Sequence, residues 1–153
     1  MEYIIQLVLS FIATASFGII FNAPKNTLFH CGVVGALGWV IYLAFTNQGV
    51  DVVPASFVAS FVIAMIAHMY AKRFKTPMLI FSVAGIIPLV PGGMAYNTMR
   101  HVVEKDYTQS IEFAVKTSLI TGAIVMGLVF AEVFMQLIFT MLRRKKYASK
   151  TNS

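Results

Sequence analysis

The chain has 153 residues, 58% of them hydrophobic and 12% charged, with a formal net charge of +6. A domain of this length cannot hide so much apolar surface from water, which argues against a soluble globule. The twelve Lys and Arg lie at the ends of apolar runs, not on a polar face interleaved with aromatics, which argues against nucleic-acid binding.

The first apolar run is Tyr3–Phe21. The residues before it carry no basic group, and the run is longer than the apolar core of a signal peptide, so it reads as a retained helix. Further runs follow at Leu28–Thr46, Pro54–Ala71, Pro77–Met99 and Thr117–Leu142, and together the runs make up about two-thirds of the chain. At about 1.5 Å per residue, each of the first three covers about 27–29 Å, enough to cross a hydrocarbon layer of about 30 Å. The predicted fold is all-α: a polytopic membrane protein of about five helices. A single transmembrane domain, residues 1–142, precedes a basic cytoplasmic tail, residues 143–153. With the amino terminus outside, nine Lys and Arg fall on the inner side and three on the outer. The positive-inside rule therefore selects an external amino terminus and a cytoplasmic carboxyl terminus.

Three of the first spans carry stripes of small or polar residues. These are Gln6, Ser10, Thr14 and Gly18; Gly32, Gly35 and Gly38; and Ser56, Ser60, Ala64 and Ala67. In lipid, where apolar surface gives helices no reason to associate, such stripes are first of all packing faces. His30, Cys31 and His68 do not have the spacing of metal ligands, and no metal or cofactor is expected. Cys31 is the only cysteine, so no internal disulfide forms.

The fourth span is the most informative. Pro88, Pro91, Gly92 and Gly93 fall within six residues, more than a simple kink requires. The prolines remove backbone donors and the glycines loosen the chain, so a helix broken near the middle of the membrane is predicted. Irregular backbone at that depth survives only where protein or a water-filled cavity satisfies its polar groups. The half-helix after Gly93 would aim free N–H groups and the positive end of its dipole at the break, an arrangement suited to a carboxylate. Tyr96 and Asn97, in its first turn, are candidate side-chain contacts. The competing reading is a proline kink or a short re-entrant turn.

The fifth span places Ser118, Thr121, Gly122, Val125, Glu132, Gln136 and Thr140 on approximately one face. A carboxylate inside a span costs about 3 kcal/mol or more unless it is protonated, paired or wetted. Glu132 is therefore the candidate proton carrier, with Gln136 beside it, although structural bonding between helices would also account for the pair. Enzyme motifs are absent from the sequence: it has no nucleophile elbow, Walker A loop or HExxH.

Phe21-Asn22-Ala23-Pro24, the stretch from Gly32 to Gly38-Trp39, and above all Pro88-Leu89-Val90-Pro91-Gly92 with Tyr96 resemble the threonine/serine exporter family, most closely its small subunit. The resemblance implies a bacterial inner-membrane exporter of threonine, serine or succinate, in which a large-subunit partner works with a small one. Further copies of the chain itself are the other possible partner. It also adds Asn22 and Pro24 to the candidate substrate contacts. Two other classes compete with an exporter subunit: a non-transporting scaffold that stabilises a partner complex, and a channel pore.

Overall fold

The computed structural model describes residues 2–151, with side chains placed over 3–141. The described residues form helices joined by short turns: α1 (Glu2–Ile20), α2 (Lys25–Asn47), α3 (Val52–Phe74), α4 (Met78–Ile86), α5 (Gly92–Val103) and α6 (Tyr107–Thr151). A single 3₁₀ turn, Ile87–Leu89, continues α4. Four helices are long and apolar enough to cross a membrane, and α4 with α5 makes a fifth crossing if that bent pair is one span.

The turns share one device. Asn22, Gly49, Lys75 and Lys105 each take a left-handed conformation, with φ of 54°, 83°, 52° and 62°. Behind each, an N–H reaches back five residues: Ala23 to Gly18 O at 2.9 Å, Val50 to Phe45 O at 3.2 Å, Thr76 to Ala71 O at 3.2 Å and Asp106 to His101 O at 2.9 Å. This closure satisfies carbonyls that the end of a helix would otherwise leave unpaired. The next helix then starts on Pro24, Asp51, Pro77 or Asp106. The carboxylate of Asp51 accepts from Val52 N–H at 2.7 Å, and that of Asp106 from Gln109 N–H at 3.2 Å, each occupying a donor at a helix start.

Helix α3 is central, packed against α2, α4 and α6, while α1 packs on α2. The core joins Val34, Ala59, Ile63, Leu89, Ile120 and Ile124. The stripes of small residues serve this packing. A side chain at Gly32 would strike the ring of Phe11, one at Gly35 would strike Thr14, and one at Gly38 would strike Ile63. Ser56, Ser60, Ala64 and Ala67 are all buried on α3. Helices α3 and α6 run in the same direction, with Phe57 edge-on to Phe130 at 6.1 Å and Phe61 against Phe134 at 6.3 Å.

Two features differ from the sequence expectation. The sequence predicts a fifth span over Thr117–Leu142, yet α6 begins at Tyr107. Its first three and a half turns, preceding Ile120, extend about 20 Å and pair with α5, where Ser110 Oγ donates to Thr98 O at 3.0 Å and His101 stacks on Phe113 at 5.4 Å. Hydropathy alone does not distinguish such a polar helical hairpin from a loop. At the other end, the α6 backbone continues past Leu142 to Thr151. The side chains of the basic tail, 143–153, lie outside the described residues.

Candidate functional site at the break

The break follows from local chemistry. Pro88 enters the 3₁₀ turn, where its missing donor is not needed. Pro91 disfavours helical backbone at the residue before it, and Val90 is extended, with φ −63° and ψ 125°. Pro91 itself, at φ −77° and ψ 52°, forms an inverse γ-turn, which Gly92 N–H closes on Val90 O at 2.8 Å. Helix α5 then leaves at 51° to α4.

No side chain caps α5 among the described residues. Ala95 N–H is the first amide to find a carbonyl one turn behind it, that of Pro91 at 3.1 Å. The Gly93 and Met94 amides therefore stand at the positive end of α5 without such a partner. Beside them lies a cavity of about 200 Å³ bounded by Trp39 and Tyr42 of α2, Val52 and Ser56 of α3, and Ile120 of α6. Ligand pockets commonly run to about 300–1,000 Å³, so this one suits a metabolite of few atoms. Trp39 and Tyr42 stack with ring centres 5.1 Å apart. The indole is held from behind, its Nε1–H donating to Gln6 Oε1 at 3.2 Å. Ser56 Oγ donates to Val52 O at 2.7 Å, which leaves its lone pairs available. No charged side chain among the described residues lines the hollow, and the Trp39 and Ser56 donors are already committed, so amide dipoles and the Tyr42 hydroxyl are what it offers to an anion.

The residues singled out in the sequence do not all meet there. Pro88, Pro91, Gly92 and Gly93 line the cavity; Tyr96 and Asn97 do not. Tyr96 is 68% exposed on the outer side of α5. Asn22 and Pro24 close the turn between α1 and α2, about 22 Å along α2 from Trp39. Glu132 and Gln136 lie farther along α6, about 18 Å from Ile120 to Glu132. Both are exposed, and Gln136 Nε2 donates to Glu132 Oε1 at 3.3 Å. The break sits not at the middle of the bundle, as the sequence predicts, but toward the end where Asn47 Nδ2 donates to Tyr3 Oη at 3.0 Å, because it abuts Val52 and Ser56 at the start of α3.

Trp39, Tyr42, Ser56 and Ile120 line the cavity without being candidate contacts in the sequence. In the sequence Ser56 belongs to a packing stripe and Trp39 to a motif, while Tyr42 and Ile120 carry no signal beyond their place in apolar spans. The histidines have local roles. His30 packs among Tyr70 and Phe74 with ring centres 5.1 and 4.5 Å away, and His68 Nδ1 lies 3.1 Å from Ala64 O.

Comparison with known proteins adds a family. The family described as Threonine/Serine exporter, ThrE, matches residues 6–134. An uncharacterized protein of Haemophilus influenzae is 30% identical over 136 residues, which cover 84% of this chain and 46% of that protein. The chain thus spans about half the length of this relative. No solved structure matches.

Proposed function

Since this chain belongs to the threonine/serine exporter family, we propose that it is a subunit of a secondary exporter that binds a small carboxylate-bearing metabolite at the break. Threonine and serine are the first candidates, and succinate the next. The observation that carries the reading is the uncapped start of α5 facing a small, uncharged cavity. There the Gly93 and Met94 amides receive the carboxylate, Tyr42 supplies a hydroxyl donor, Ser56 offers an acceptor to the ligand's own donors, and Trp39 forms an apolar wall. A carboxylate gains from such amides because they are already oriented toward it.

The proposed cycle is alternating access, with the α5–α6 hairpin moving against α3 so that the cavity opens to one side at a time. Broken helices suit this motion, since the break concentrates the dihedral change in a few residues. By the charge distribution, the end near Asn47 faces outward in the bacterial inner membrane and is the release side. Glu132 is the proposed proton carrier and acts at a distance from the cavity. A large subunit with its own spans completes the transporter.

Efflux of labelled threonine, serine and succinate from preloaded cells tests the proposal, with this chain absent, alone, and together with a candidate large subunit. Efflux that requires both chains is the expected result. No efflux in any arm, with both proteins present in the membrane, transfers the case to a non-transporting scaffold.

A further inference from the structure

Helix α6 meets α3 on one face, through buried residues such as Ile124, Gly127 and Ala131. On the opposite face, Ser118, Gly122, Val125, Val129, Glu132 and Gln136 recur in alternating steps of four and three, and the same spacing extends back to Ile111. Every one of these residues is exposed on the single chain. A row with a mean period of 3.5 is the seam of a two-helix coil, and small or β-branched residues let helices in lipid approach closely. At Gly122 a side-chain carbon would meet nothing within 4 Å, leaving a notch for another backbone. Among the described residues, Glu132 and Gln136 make their only side-chain bond to each other, inside a span where lipid offers such groups nothing.

We propose that this seam is where two copies of the chain pair, each laying its α6 along the other. The polar layer is complementary to itself: Gln136 brings amide donors and Glu132 carboxyl acceptors, one turn apart on the same stripe. Each Gln136 can therefore bond to the opposite Glu132, and a two-fold contact satisfies both pairs. Two copies inserted in the same direction place their α6 helices parallel and in register, so Ser118, Gly122, Val125 and Val129 each face their own counterpart, while Gln136 lies one turn along from the opposite Glu132. Helix α5 does not obstruct the contact, because Ile111 and Val115 remain exposed beside it.

The test is disulfide cross-linking of the full chain in native membranes. Cys31 is fully buried and is replaced by Ser, or by Ala in a second background, before single cysteines are introduced. Copper phenanthroline in air then oxidises facing thiols. Covalent dimers are expected for Ser118→Cys, Gly122→Cys, Val125→Cys and Val129→Cys. They are not expected for Leu119→Cys, Met126→Cys or Val133→Cys, whose parent residues are 55%, 57% and 51% exposed but lie about a quarter-turn from the seam. Adding Gln136→Leu to Val129→Cys should lower the dimer yield at least about fivefold, whereas adding Glu132→Gln, which still accepts and donates, should retain it. Equal cross-linking on and off the seam would overturn the proposal. So would cross-links only to a different protein, or no dimer from membrane-inserted chain. The readout involves no transport, so its failure leaves the exporter reading intact.

Discussion

Gly92 and Gly93 begin α5 where a side-chain methyl would meet nothing within 4 Å, so packing does not require glycine at either position. Alanine within a helix is favoured over glycine by about 0.5–1 kcal/mol. Gly93→Ala should accordingly leave thermal stability in detergent unchanged or raise it by up to about that amount, while its methyl narrows the cavity and lowers efflux. A protein that only supports a partner would gain the stability and lose no activity. Lys105 makes a second residue-scale case. Its φ of 62° costs a side-chain-bearing residue about 1 kcal/mol, so Lys105→Gly should raise the unfolding midpoint slightly. A lower midpoint would mean that the lysine side chain contributes more than its backbone costs. For Glu132, replacement by Gln retains the bond to Gln136 and removes the exchangeable proton. Efflux driven by a pH gradient should then fall to the background level while the membrane content stays the same. Unchanged efflux across a pH series would remove Glu132 from the coupling step.

The elements are held by close approach more than by apolar burial. Overpacking at such contacts costs about 1–3 kcal/mol, and Gly35 is the sharpest instance because any side chain there lands on Thr14. Gly35→Val should separate α1 from α2 and lower the unfolding midpoint. An unaltered midpoint would show that α1 is not fixed where the structure has it. The helix content and the packing stripes were legible in the sequence because period and residue size determine them. The place of the break along the chain was legible as well, since Pro88 and Pro91 act on their own backbone, but its depth was not: the middle of the membrane is what the sequence predicts, and the break abuts Val52 and Ser56 at the start of α3. The first turns of α6 were not, because Glu112 and Lys116 make that segment look like a loop, and only pairing with α5 shows it to be helix. The far walls of the cavity were equally hidden. Tyr42 and Ile120 come to line the cavity through the docking of three helices, which no local pattern encodes.

At the scale of the molecule, the charge distribution predicts which end faces which compartment. Cysteine in place of Lys105 should react with an impermeant maleimide added to intact cells, and cysteine in place of Lys75 only after permeabilisation; the reverse pattern would invert the release direction. The central claim is that the cavity beside the start of α5 carries the substrate of an exporter. Efflux of labelled threonine, serine and succinate tests it most directly, comparing cells that hold the wild-type chain and a large subunit with cells that hold the Gly93→Ala chain and the same subunit. The account predicts that the variant reaches the membrane in equal amount, melts no earlier, and exports at least about tenfold more slowly, a loss of about 1.4 kcal/mol in the transport step. Equal efflux from the two would contradict it.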